Sequence, residues 1–135
     1  MTIKIFNIDK LSKELQKLEF IDFAYLFGSS SDGIINEGSD LDIAVYFSDD
    51  FIVDFDMIAM VLKVIDDLIP GIECDLCRLN TANETLCFEA LKGKLLFVKN
   101  ECKDKFAGFY SITCREYEDY SFWSNKQLEY RGILT

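Results

Sequence analysis

The chain has no histidine, a single proline and a single tryptophan in 135 residues. No apolar run approaches the roughly 20 residues that a membrane span needs. The opening stretch, MTIKIFNIDK, lacks the apolar region of a signal peptide, so the expected location is cytoplasmic, without membrane association. Repeats, low-complexity tracts and linkers are missing as well, and Pro70 falls between an expected helix and an expected strand. The length suits one domain over residues 1–135 with a single core.

The five cysteines sit in a chain without an export signal, which favours free thiols over a disulfide framework. Cys74 and Cys77 form a C-x-x-C, but the segment reads as a strand. Side chains three apart on a strand point to opposite faces. With no histidine and no second C-x-x-C, a structural zinc site lacks ligands. Cysteine as a small buried hydrophobe is the better reading.

Basic residues are missing where acids concentrate. Between Leu18 and Leu62 there are ten Asp or Glu and no Lys or Arg, whereas from Lys92 onward eight basic residues face six acids. The net charge of −10 argues against direct nucleic-acid binding, since a phosphate backbone calls for a basic footprint. The acidic stretch fits either a solvated face or a site that gathers carboxylates around a divalent cation.

What is present reads as alternating helices and strands. Asp9 is placed to cap a first helix carrying Leu11, Leu15 and Leu18 at i, i+4 and i+7. Ile21–Phe27 is an apolar strand with Phe23, Tyr25 and Phe27 on one face, ended by Gly28. A polar loop with room for one helical turn spans Ser29–Ser39, and Leu41–Phe47 is the second strand. Asp54–Leu68 is apolar on most sides, which predicts a well-buried helix. Ile72–Cys77 is a third strand. Thr81 and Glu84 form a capping box for a helix ending at Gly93, and Lys94–Val98 is the fourth strand. Phe106, Phe109, Tyr110, Thr113, Tyr117 and Tyr120 recur at helical spacing, so the tail is expected to be a long helix packed by one aromatic face. The order α-β-β-α-β-α-β-α implies a two-layer α/β domain around one sheet.

Chemistry concentrates between Phe27 and Val45. Gly28 and Ser29 end a buried strand and open a turn, where glycine admits a ligand close to the backbone and successive N–H groups can cradle phosphate oxygens. Asp40-Leu41-Asp42 then opens the next strand. Alternation puts both carboxylates on one face, with Leu41, Ile43 and Val45 on the other. Two adjacent carboxylates repel unless a cation lies between them, and Mg²⁺ favours a few carboxylates completed by substrate phosphate oxygens. Asp75, between the expected core residues Cys74 and Leu76, joins that group if the third strand lies beside the second. Asp-x-Asp or Gly-Ser alone is weak. The combination G-S-x10-D-x-D, with a strand on each side and a later strand carrying Asp, is specific. Asp49, Asp50, Asp54 and Asp56 read as a solvated loop and helix start, and Arg78 as a surface residue.

On these residues the sequence resembles the minimal nucleotidyltransferases of the DNA polymerase β-like superfamily. More narrowly, it resembles the antitoxins of HEPN/MNT toxin–antitoxin pairs. The resemblance implies a nucleotidyltransferase fold with a mixed four-stranded sheet, flanking helices and a long C-terminal helix. It implies that Gly28, Ser29 and Ser39 bind the nucleotide, and that Asp40, Asp42 and Asp75 are catalytic and ligate Mg²⁺. It further implies ATP as co-substrate, a HEPN-type ribonuclease toxin as partner, and AMP transfer to a tyrosine of that toxin. Relatives commonly carry Arg at the place of Asp32. An acid beside a triphosphate calls for a substitute cation, with Lys103, Lys105 and Arg115 as candidates, or for reduced activity. Two other readings therefore stand beside protein adenylylation. One is a small-molecule nucleotidyltransferase of the aminoglycoside-modifying kind, for which the chain leaves little room for an acceptor domain. The other is an antitoxin that acts by binding alone.

Overall fold

The computed structural model describes residues 4–36 and 38–130, and their side chains as far as Glu118. The elements run β1 (Lys4–Ile5), α1 (Ile8–Gln16), β2 (Ile21–Phe27), β3 (Ile34–Ile35), β4 (Leu41–Phe47), α2 (Phe55–Leu68), β5 (Cys74–Arg78), α3 (Glu84–Leu91), β6 (Lys94–Val98) and α4 (Lys103–Tyr130). Four strands form one mixed sheet in the order β5-β4-β2-β6. β2 pairs antiparallel with both β4 and β6, and β4 pairs parallel with β5. The two-residue strands β1 and β3 pair separately, antiparallel to each other.

β2 and β4 are the two inner strands, and their alternation sorts side chains to two packed faces. Ala24, Leu26, Leu41, Ile43, Val45 and Phe47 bury against Leu11 and Leu15 of α1 and Met57, Val61 and Ile65 of α2. Phe23, Tyr25 and Ala44 turn the other way, toward Cys87 and Ala90 of α3 and Phe106 and Phe109 of α4. Helices thus cover both faces of the sheet. A register shift between Ile21 and Phe23 lets these two residues, both apolar, serve opposite faces although a spacing of two would put them on the same one. Gly93, at the end of α3, lies so close to β2 that a Cβ would overlap the Leu26 carbonyl oxygen, which seats α3 tightly on the sheet.

Several local expectations shift. The cap of α1 is Asn7, whose side chain accepts the Lys10 N–H, and Asp9 lies in the first turn. The cap of α3 is Asn83, not Thr81, and it accepts the Leu86 N–H. An amide oxygen one position before the first turn does what Thr81 lies too far upstream to do. β5 begins at Cys74 rather than Ile72. Only Met57, Val61 and Ile65 of α2 are buried, because the helix meets the sheet along one stripe, while Phe55, Met60 and Leu62 are exposed. On α4, Phe106 and Phe109 pack on Phe23, and Tyr117 stacks on Phe88 with ring centroids 3.9 Å apart. Thr113 is buried, but Tyr110 faces outward. The Tyr120 side chain lies outside the described residues. Among the described residues no helix is long and apolar enough to cross a membrane.

Candidate active site

The loop after β2 and the start of β4 meet at one end of the sheet. Phe27 is paired with Asp42 across the β2–β4 ladder. Gly28 follows Phe27 with φ of +76°, and a Cβ there would overlap Asp42 Oδ2. Glycine is therefore required twice at this position, for its left-handed backbone and for the carboxylate lying against it. Gly28–Ser30 form a single 3-10 turn. Ser29 is exposed, whereas Ser30 is fully buried and its hydroxyl donates to the Asp40 carbonyl oxygen at 3.3 Å. That bond ties the Gly-Ser turn to the residue that leads into β4. Sequence reasoning passed over Ser30; the third residue of a Gly-Ser-Ser turn preceding an acidic strand was the available signal.

The parallel register of β4 and β5 sets Asp42 directly beside Asp75. Both occupy the face that also carries Ala44 and Cys77, because Leu41, Ile43, Cys74 and Leu76 turn to the α1–α2 side. The condition attached to Asp75 is met: its strand is the neighbour of the Asp-x-Asp strand. Asp42 is half-buried, and Asp40 and Asp75 are exposed. Burial, then the charges of Asp75 and Asp40, raise the Asp42 carboxyl above its ordinary value. Among the described residues no Lys or Arg forms an ion pair with any of the three. Ser39 is half-buried and lines a cavity of about 270 Å³ with Lys4, Asn36, Gly38 and Gly71.

Among the described residues no three His, Cys, Asp or Glu side chains form a ready-made metal cage. Mg²⁺ does not ask for one. It is held by one or two carboxylates and completes its shell with water and substrate phosphate oxygens. Two carboxylates in direct register, a third just upstream, and a raised proton affinity at the central one form a donor set that fits such an ion. Thiols do not contribute. Cys74 and Cys77 face opposite sides of the sheet, and burial, followed by the Asp75 and Asp42 charges, pushes the Cys74 thiol up to about 12.

Two of the three candidate cations lie at the other end of the sheet. Lys105 pairs with Asp22 at 2.9 Å and Asp49 at 3.2 Å, at the far end of β2, and Lys103 opens α4 at that same end. Arg115 is exposed further along α4. The Asp32 carboxylate folds back on its own loop and accepts the Ile34 N–H at 3.0 Å.

The family model described as "Polymerase beta, Nucleotidyltransferase" matches residues 9–102. No curated protein matches the chain. Among solved structures, it is similar to a chain of a toxin–antitoxin complex crystallised with AMP-PNP, at 24% identity and a TM-score of 0.65. That likeness covers 96% of this chain and 99% of the other. A mutant of the MntA-HpeT toxin–antitoxin complex gives 22% identity, a TM-score of 0.65 and the same coverage of both chains. A complex of tri-AMPylated Shewanella oneidensis HEPN toxin with MNT antitoxin gives 20% identity and a TM-score of 0.61, over 96% of this chain and 100% of that one. At these identities the likenesses show the fold.

Proposed function

The chain belongs to the polymerase β nucleotidyltransferase family, and from that premise we propose that it adenylylates a cognate HEPN-type ribonuclease toxin as its antitoxin. The observation that carries this reading is the register of Asp42 with Asp75, under a glycine that only a missing side chain allows to approach. In this reading Asp40, Asp42 and Asp75 hold Mg²⁺. A divalent ion bound there supplies charge stabilisation at the α-phosphoryl group and its leaving oxygen. Gly28 and Ser29, exposed at the turn, meet the triphosphate of ATP, with Ser39 beside them. Asp75, the most open of the strand-borne acids, takes the proton from the acceptor tyrosine hydroxyl. That oxygen bonds to the α-phosphorus, the bond to the β-phosphate oxygen breaks, and pyrophosphate leaves. The partner assignment draws on the similar toxin–antitoxin structures, one of which contains a tri-AMPylated HEPN toxin. It also draws on charge: a net −10 suits docking to a ribonuclease, whose RNA-binding surface is basic.

The test is co-expression with a HEPN protein encoded beside the gene, followed by intact-mass measurement of that partner. A gain of one or more AMP units with the wild type, absent with Asp40→Asn/Asp42→Asn, is the expected result. Protection from toxicity that persists in the double variant without any mass gain would establish an antitoxin that acts by binding alone.

A further inference from the structure

At the end of the sheet away from the acids, the β4–α2 connection presents large apolar side chains to solvent. Ile52 is 91% exposed and Phe55 90%. Beside them opens a cleft of about 470 Å³ lined by Leu18, Phe20, Phe51, Ile52, Met57 and Met60. The loop that carries them is braced. Phe51 packs edge-on against Phe20 at 6.2 Å, its N–H donates to the Ser48 carbonyl, and Asp54 caps α2 through the Met57 N–H. Large apolar side chains exposed beside an apolar cleft, on a loop held by these contacts, are costly to leave in water and mark an interaction surface.

Its rim selects the occupant. Glu19, Asp50, Asp54 and Asp56 are all exposed around the patch. The cation lining the cleft, Lys17, is held by Glu14 at 2.9 Å. A second copy of this chain would bring the same acids against themselves, and an anionic membrane would be repelled. We propose that this patch docks the toxin through a segment that seats an apolar side chain in the Phe20–Phe51–Met57 cleft and flanks it with Lys or Arg. This rests on the proposed function, in which the acceptor is a basic protein, and it adds a surface separate from the acids. Asp42 and Phe47 are five residues apart on β4, roughly 17 Å at the rise of a strand, and the cleft opens on the α1–α2 side while Asp42 faces the other. The toxin is thus held at one end of the sheet and modified at the other.

The experiment compares wild type with Ile52→Ser/Phe55→Ser, leaving the packed Phe51 intact, using the HEPN protein encoded beside the gene. The expected result is a Kd for the toxin weakened about 30-fold by calorimetry. Thermal stability and Mg·ATP affinity should be unchanged, and KM for the toxin raised, with kcat retained at saturation. Glu19→Gln/Asp50→Asn should flatten the salt dependence of binding. A double variant that binds and modifies the toxin like wild type overturns the docking surface and leaves the adenylylation reading standing. Patch-dependent binding without any AMP transfer does the reverse. A wild-type dimer that the double variant dissolves overturns the proposal in favour of self-association. Failure of wild type to bind the toxin overturns both.

Discussion

The two ends of the β2–β4 hairpin treat carboxylates in opposite ways. At the Asp22 end the charge is answered from within the fold. Asp22 is 4% exposed, and Lys105 reaches it from α4 at 2.9 Å while also touching Asp49. Hydrogen bonds to these two carboxylates raise the Lys105 ammonium well above its ordinary value, so the pair acts as a clasp that fastens the start of α4 to the sheet. At the Asp42 end no Lys or Arg among the described residues answers. Asp75 sits in register, Asp40 lies just upstream, and burial with these like charges raises the Asp42 carboxyl. The fold pairs a nearly buried Asp22 at one end of the hairpin and, among the described residues, leaves three acids unpaired at the other. The first end serves stability; on the proposed reading the second receives a cation from outside.

Asp42→Asn breaks the contrast most sharply. On the proposed reading it lowers AMP transfer on the order of 10³-fold, because charge stabilisation at the phosphoryl group is lost. Stability should hold or rise, since a raised carboxyl is one the folded state prefers uncharged. Single-turnover assays and thermal melts on the same preparation check both halves.

Lys105→Met should act in the opposite sense. It strands the nearly buried Asp22 carboxylate and costs roughly 2 kcal/mol of stability by chemical denaturation, with Mg·ATP affinity unchanged. The pH dependence follows from the sign of the shift. The Lys105 pKa is higher folded than unfolded, so its stabilisation is complete below the ordinary lysine range and is lost as pH rises through the folded value. Wild type should therefore lose stability in alkaline melts more steeply than Lys105→Met. Equal slopes would mean that the clasp contributes nothing.

The smallest effect is expected at Asp32, whose carboxylate serves its own turn. Asp32→Arg forfeits that bond at a cost of about 1 kcal/mol and changes ATP affinity by no more than several-fold. A larger gain in affinity would show that residue 32 reaches the phosphates and that the turn rearranges when nucleotide binds.

The acidic end was far more legible in the sequence than the clasp. Gly28, Asp40 and Asp42 announce themselves because a strand end, a turn and a strand start place them by local rules alone. Asp75 needed one further fact, the neighbouring position of its strand, and the β4–β5 pairing supplies it. The clasp joins residues 83 apart, so no local period foretells it, and Lys105, one of three candidate cations for the phosphates, lies at the opposite end of the sheet. The direction in which α4 passes over β2 decides that, and it is a tertiary fact. Helix α2 misled for a related reason. Apolar residues on most of its sides predicted burial, yet the sheet buries one stripe and leaves Phe55, Met60 and Leu62 exposed, Phe55 and Met60 next to Ile52 of the preceding loop. The strands β1 and β3, two residues each, are too short to carry any period.

The claim that the three acids await a divalent cation and its nucleotide is tested most directly by calorimetric titration of ATP with and without Mg²⁺, on wild type and Asp42→Asn. ATP should bind wild type only when Mg²⁺ is present, and Asp42→Asn should abolish that dependence along with most of the affinity. Tight ATP binding to the metal-free wild type, or undiminished Mg²⁺-dependent binding to Asp42→Asn, would contradict it.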